Sequence, residues 1–98
     1  MIALHDALQL VKKHLTSEWD RPDDNFIILQ DRTLAGDYGW VFFWGSEKYH
    51  TTKDRKYRMA GNAPIIVSKE GKMYSAGTAH GIDYYLDLFR LGKLPPTE

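Results

Sequence analysis

The apolar residues near the start of the chain recur at the spacing of an amphipathic α-helix. They are Leu4, Ala7, Leu8, Val11 and Leu15. Asp6 lies in the early turns and Lys12 and Lys13 lie near the end, where the helix macrodipole favours negative and positive charge respectively. The pattern predicts a helix over residues 2–15.

The middle of the chain contains the short apolar runs that are typical of β-strands. Residues 26–30 (FIILQ) and 40–44 (WVFFW) predict two strands of a hairpin, joined through a turn at 34–39 that is rich in glycine and aspartate. Residues 64–76 predict a second hairpin, because the β-branched residues 65–67 are followed by a tight Glu-Gly connection. The run WVFFW is apolar on both faces, which would permit dimerisation through this strand.

A second helical pattern follows the hairpins, formed by Ile82, Tyr85, Leu86 and Phe89. Thr78 or His80 is the expected cap, and Gly92 lies just past the expected end. The order of elements predicts an α+β fold: an antiparallel sheet of about four strands, with the N-terminal and C-terminal helices packed on one face. We expect a single domain over residues 1–92 and a flexible tail over 93–98.

Composition and charge narrow the classes of function. The chain has 98 residues, 43% apolar and 27% charged, which is ordinary for a globular protein, and no run approaches the ~20 apolar residues of a membrane span. Thirteen basic residues balance thirteen acidic ones, which argues against nucleic-acid or membrane binding. The absence of cysteine and of a signal-peptide pattern at the N-terminus predicts a cytoplasmic protein.

The residues that most often carry chemistry do not form a recognisable catalytic or metal-binding pattern. The four histidines lie in separate segments, and the acidic cluster Asp20, Asp23 and Asp24 lacks the glycine and glutamate of an EF-hand loop. Residues 36–39 (GDYG) lack the lysine of a phosphate-binding loop, and no nucleophile elbow surrounds either Ser68 or Ser75. We therefore predict a protein that is not an enzyme, with no catalytic, cofactor or metal site.

Residues 57–86, YRMAGNAPIIVSKEGKMYSAGTAHGIDYYL, carry the most specific motif. They resemble the signature of the immunity protein 35 family of bacterial polymorphic toxin systems, which includes the YrhB-like proteins. The residues that match are Tyr57, Arg58, Ala60, Gly61, Asn62, Pro64, Gly77, Thr78, Ala79 and Tyr85. Departures occur at Ser68, where aspartate is common, and at residues 81–83, where a Pro-x-Glu pattern is expected.

The resemblance implies an immunity protein that binds and neutralises a cognate toxin effector by tight protein–protein association, as a monomer or a weak homodimer. The alternative, also suggested by the YrhB branch, is a small chaperone-like holdase that binds unfolded clients. A third possibility, a nucleic-acid binder using aromatic stacking, would need a basic groove, and residues 48–58 are the only basic cluster.

The residues that match the family motif are expected to form the fold, not to contact the toxin. This structural motif comprises Tyr57, Arg58, Gly61, Asn62, Pro64, Gly77, Thr78 and Tyr85.

Three polar segments are the expected toxin-binding surface: the acidic loop 17–24, the turn 34–39 and the long connection 46–56. Tyrosine and tryptophan are enriched at binding hot spots because each offers a large rigid area and one hydrogen bond. The competing interpretation is that such aromatic residues belong to the core. The candidate anchors are Trp19, Asp23, Asp24, Tyr38, Tyr49 and His50.

Overall fold

A computed structural model describes residues 1–58 and 62–97. Within these residues the helices are α1 (Leu4–Glu18), α2 (Glu47–Thr52) and α3 (Ile82–Arg90). The strands are β1 (Phe26–Ile28), β2 (Leu34–Gly36), β3 (Gly39–Phe42), β4 (Trp44–Ser46), β5 (Ile65–Ser68) and β6 (Met73–Ser75). Two short 3-10 turns lie at Gln30–Arg32 and Arg55–Tyr57. None of the helices in this part of the chain has the length and apolar character needed to cross a bilayer.

The strands form two antiparallel sheets that share one long hairpin. The larger sheet has the order β2-β3-β5-β6, and the smaller sheet pairs β1 with β4. Only Phe43 separates β3 from β4, and its carbonyl accepts a hydrogen bond of 2.8 Å from the Leu29 N–H, between the two sheets. Residues 26–46 are therefore one hairpin whose two arms are interrupted at matching positions.

The α+β class and the antiparallel sheet are confirmed, but the prediction that both helices pack on one face is wrong. The core divides into two clusters. Ala7, Val11 and Leu15 of α1 pack with Trp40, Phe42, Ile65 and Val67, whereas Leu86 of α3 packs with Val41 and Ile66. Because side chains alternate between the faces of a strand, these two sets lie on opposite faces of the sheet. Each apolar face of β3 and β5 is covered by its own helix.

The two predicted hairpins are present, but their strands begin and end at different residues from those predicted. Residues 34–36, expected within a turn, form β2 and pair with β3, so the turn shortens to Asp37 and Tyr38. The predicted strand 40–44 begins at Gly39 and is broken at Phe43. Helix α3 begins after Gly81, and no side chain caps it, so neither Thr78 nor His80 has the expected capping role.

The segment after Gly92, expected to be flexible, lies against the sheet as far as Thr97. The Thr97 N–H donates a hydrogen bond of 2.8 Å to the Met73 carbonyl. Leu94 packs against the cluster formed by Val41, Ile66 and Leu86. The boundary of the domain at residue 92 stays a prediction.

Gly39 is the position at which a side chain should be least tolerated. Its φ is +133°, and a Cβ atom there would collide with the carbonyl oxygen of Val67 on the neighbouring strand. We expect Gly39→Ala to lower the free energy of unfolding by at least about 2 kcal/mol, because the backbone must either strain or leave the β3–β5 ladder.

The matched control is Gly81→Ser, at the N-cap of α3. No atom lies within 4 Å of the position its Cβ would occupy, and serine is a favoured N-cap residue. Chemical denaturation should show unchanged or slightly raised stability for Gly81→Ser. Equal stability of the two variants would contradict the role assigned to Gly39.

Candidate functional site

A buried carboxylate joins the acidic loop to helix α2. Asp24 is only 6% exposed. Its carboxylate accepts hydrogen bonds from the Ser46 hydroxyl, from the Asn25 N–H (2.7 Å) and from the Lys48 N–H (3.1 Å). Ser46 is the N-cap of α2, and its hydroxyl oxygen also accepts from the Tyr49 N–H at 3.1 Å. Asp24 and Ser46 together cap α2 and hold the loop against it.

The same contacts set the ionisation of Asp24. Burial would raise the pKa of its carboxyl, but hydrogen bonds from the Ser46 hydroxyl and the two backbone N–H groups, with the charge of Lys48, hold it below the ordinary value. Asp24 was expected to be an anchor residue at the toxin interface. The structure instead buries it and engages its carboxylate within the fold.

Trp19 closes the acidic loop. Its indole N–H donates to the carbonyls of both Arg21 and Asp24, each at 3.0 Å. Its half-buried ring packs edge-on against Phe26, with the ring centroids 6.0 Å apart. The indole therefore shapes the loop, and its role as a binding anchor stays a prediction.

Lysine side chains surround two tyrosine rings on and after α2. The Nζ atoms of Lys48 and Lys56 lie 5.2 and 5.1 Å from the ring centroid of Tyr57, and Lys53 Nζ lies 5.7 Å from that of Tyr49. These distances are within the range of cation–π attraction. We call residues 19–25 and 46–58 together the loop–helix surface.

The two halves of the loop–helix surface meet at an open pocket of about 390 Å³. Arg21, Asp23 and Asp24 line it from the loop, and Lys56 and Tyr57 line it from the 3-10 turn. Asp23 is exposed and Tyr57 is half-buried, so the pocket offers side chains of both charges and one aromatic ring.

His50 lies on the same surface and packs over β4. A Cβ on Gly45 would come within 3.2 Å of the His50 Nε2 atom, so glycine leaves room for the imidazole. The Tyr49 and His50 rings are in edge contact, with centroids 5.8 Å apart. The structure thus brings together five of the six candidate anchors: Trp19, Asp23, Asp24, Tyr49 and His50.

Tyr38, the sixth candidate, lies at the other end of the hairpin arm. Gly39 and Ser46 are the two ends of this arm, and a strand rise of ~3.3 Å per residue separates them by roughly 20 Å. The Tyr38 ring is in edge contact with Phe89 at 6.4 Å, and Arg90 lies 5.2 Å from it. Burial is the main cause that raises the pKa of Tyr38. Turn 34–39 is therefore not continuous with the loop–helix surface.

The matched motif residues before β5 contact the strand beside them. The side-chain amide of Asn62 donates to the Trp44 carbonyl at 2.7 Å, and the Trp44 indole N–H donates to the Ala63 carbonyl at 2.8 Å. This reciprocal pair ties the entry of β5 to β4. The Pro64 carbonyl then accepts from the Ala76 N–H at 2.9 Å, which extends the β5–β6 pairing. Gly61 lies outside the described residues.

The second part of the motif packs a glycine against a tyrosine. A Cβ on Gly77 would overlap the hydroxyl end of Tyr85, which is 8% exposed. The glycine therefore makes room for this buried ring. Thr78 and Arg58 are exposed.

Sequence reasoning placed four further residues of the surface inside the predicted segments 17–24 and 46–56 without naming them as candidates: Arg21, Ser46, Lys48 and Lys56. A signal for Ser46 was present, because serine followed by glutamate is typical of a helix N-terminus. No comparable signal identified its partner, since Asp24 is 22 residues away in the sequence.

These observations define a small α+β protein with a charged, aromatic surface built from a loop and a short helix. The model of the family described as immunity protein 35 matches residues 5–86. The chain is also 34% identical over 96 residues to "Uncharacterized protein YrhB" of Escherichia coli (strain K12), covering 95% of this chain and 94% of that protein. No solved structure matches the chain. The chain belongs to the immunity protein 35 family, which supports an immunity-protein role, a protein partner and a non-enzymatic function.

Removing the hydroxyl of Ser46 should destabilise the protein. Ser46→Ala leaves the Tyr49 N–H without its cap and takes a partner from the Asp24 carboxylate. We expect a loss of about 1 kcal/mol in the free energy of unfolding. The control is Ser17→Ala, whose exposed hydroxyl bonds only a carbonyl of its own helix, and which should change stability by less than ~0.5 kcal/mol. Equal losses in urea denaturation would contradict the capping role.

The lowered pKa of Asp24 predicts a loss of stability in acid. Its stabilising contribution is complete above the unfolded-state pKa of about 4 and disappears as the pH falls through the lower folded-state pKa. Denaturation between pH 6 and pH 2.5 should therefore show a steeper decline for the unmodified protein than for Asp24→Asn, which has no carboxyl to titrate there. Parallel declines would contradict this assignment.

Proposed function

We propose that this protein neutralises a cognate bacterial toxin effector by stoichiometric binding, with the loop–helix surface as the main contact region. The observation that carries the proposal is the clustering of four predicted anchors, Trp19, Asp23, Tyr49 and His50, with three lysine–tyrosine contacts. Membership of the immunity protein 35 family supports a protein partner. A binding role needs complementary shape and charge, and no reacting group.

The charges on the surface favour a partner with carboxylates. Residues 46–58 contain five lysine or arginine residues and two acidic ones. Lys53, Arg55, Lys56 and Arg58 are exposed, so they are accessible to an approaching protein. The exposed Asp20 and Asp23 on the loop side would meet a basic group of the same partner. Such alternation of charge fixes the orientation of a complex and raises its association rate.

The size of the surface suits a specific complex. Near-complete neutralisation of a toxin requires a Kd at or below ~1 nM, or roughly 12 kcal/mol. A standard interface uses about 20–30 residues on each side. Residues 19–25 and 46–58 fall just below this range once the buried Asp24 and Ser46 are left out, so flanking residues would complete the interface. Tyr49 and Tyr57 are half-buried, so their rings are fixed by the fold while part of each stays accessible. Rigid aromatic residues of this kind lose little entropy on binding.

The holdase alternative requires a continuous apolar surface for unfolded clients. The exposed large apolar residues of the described chain are divided among the N-terminus, α1, β2, α3 and the residue after it: Met1, Leu4, Leu34, Tyr84 and Leu91. Because these residues are scattered over separate elements of the described chain, the structure supports the holdase less well than stoichiometric binding through the loop–helix surface.

Reversing two charges on the surface should weaken binding to the toxin. We expect Arg55→Glu/Lys56→Glu to raise the Kd for the toxin domain encoded beside this protein roughly 10–100-fold, because like charges would face each other across the interface. Calorimetry with the purified domain measures the Kd, and growth on co-expression measures neutralisation. The control is Lys13→Glu/Lys93→Glu, which changes net charge equally at exposed positions outside the surface.

An unchanged Kd for the Arg55/Lys56 variant, with the fold retained by circular dichroism, would contradict the assignment of the surface. Equal weakening by both variants would indicate only a long-range charge effect. If the toxin domain does not bind and the protein prevents aggregation of an unrelated heat-denatured enzyme, the holdase replaces the immunity role.

A further inference from the structure

Within the described residues, the C-terminal segment makes a backbone hydrogen bond to the outer edge of strand β6. Strand β6 is last in the order β2-β3-β5-β6, so it pairs with β5 on one side. An open edge of this kind is a template for pairing with another chain. The contacts along this edge therefore bear on whether the protein associates with itself.

The hydrogen-bond pattern identifies which backbone groups face outward. The Ser68 N–H donates to the Lys72 carbonyl and the Ala76 N–H donates to the Pro64 carbonyl, each at 2.9 Å. In an antiparallel ladder, residues that face the neighbouring strand alternate with residues that face away. Met73 and Ser75 therefore direct their backbone N–H and carbonyl groups away from β5.

Residues 94–97 lie along this outward edge. The Thr97 N–H donates to the Met73 carbonyl at 2.8 Å, and the Thr97 hydroxyl donates to the Ser75 hydroxyl oxygen at 3.2 Å. Leu94 holds the start of the segment by packing against the α3-side cluster. The segment is thus fixed at both ends, by an apolar contact and by a hydrogen bond.

The two residues between these contacts cannot continue the sheet. Pro95 and Pro96 have no backbone N–H, so they cannot donate to a further strand. The segment therefore occupies the edge of β6 without presenting a complete new edge of its own. Proline placed on an edge in this way is a recognised protection against intermolecular pairing.

We propose that residues 94–97 are a strap that keeps the β6 edge from pairing with the β6 edge of a second copy. When the strap is released, Met73 of one copy lies opposite Ser75 of the other in an antiparallel pair. The outward backbone N–H of each residue then donates a hydrogen bond to the carbonyl of the other. The two four-stranded sheets then become continuous. Because β6 has only three residues, the released form is a weak, concentration-dependent dimer.

Two substitutions at Thr97, compared with each other, separate the backbone hydrogen bond of the strap from its side-chain contact. Thr97→Pro removes both the hydroxyl and the N–H that donates to the Met73 carbonyl, whereas Thr97→Ala keeps this N–H and removes only the hydroxyl. Sedimentation equilibrium should show a mass that rises with concentration toward a dimer for Thr97→Pro and a constant monomer mass for Thr97→Ala and the unmodified chain. Identical mass behaviour of the two variants would overturn the proposal.

Amide hydrogen exchange tests the same proposal at individual residues. The Thr97 amide of the unmodified chain should exchange more slowly than an unstructured amide, and an unprotected Thr97 would overturn the strap. In the Thr97→Pro dimer, the amides of Met73 and Ser75 should gain protection as concentration rises. A dimer that leaves both amides unprotected uses another surface, which would also overturn the assignment. These measurements need no toxin, so they are independent of the proposed function.

Discussion

The pairing of β3 with β5 is the contact on which the rest of the structure depends. Trp40, Val41 and Phe42 face Val67, Ile66 and Ile65 across the ladder, and all six are 6% exposed or less. Because alternate residues point to opposite faces, this pair of strands presents apolar surface on both sides. Burial of that surface is the main favourable term in folding, and it requires a helix on each face. The positions of α1 and α3 follow from it.

The loop–helix surface depends on a different kind of interaction. Helix α2 has six residues, which is too short to be stable in water without external contacts. The Asp24 carboxylate and the Ser46 hydroxyl satisfy its first N–H groups, and the Asn25 carbonyl accepts a further hydrogen bond from the Glu47 N–H. Since Ser46 ends β4, the helix starts where the sheet stops. The surface is therefore an extension of the long hairpin, held in place by polar contacts.

Part of the family motif anchors this extension, because Asn62 contacts β4 beneath the surface, whereas Tyr57 and Arg58 belong to the surface itself. The Asn62 amide donates to the Trp44 carbonyl and the Trp44 indole N–H donates to the Ala63 carbonyl, which ties the entry of β5 to β4. Gly77 makes room for the ring of Tyr85 on the α3 side. The lysines and tyrosines that we propose to contact a partner lie between Trp44 and Asn62 in the sequence.

The sequence by itself determined the α+β class, the helices at each end and the second hairpin, because each depends on local apolar spacing and turn residues. It also pointed to the family through residues 57–86, and to most of the candidate surface through its polar, aromatic segments. Local patterns carry no information on contacts between distant residues. The tertiary structure alone decided that the helices lie on opposite faces, that Asp24 bonds the helix N-cap Ser46, 22 residues away, and that Tyr38 is remote from the other candidates. In each case the deciding contact joins segments that only the folded sheet brings together.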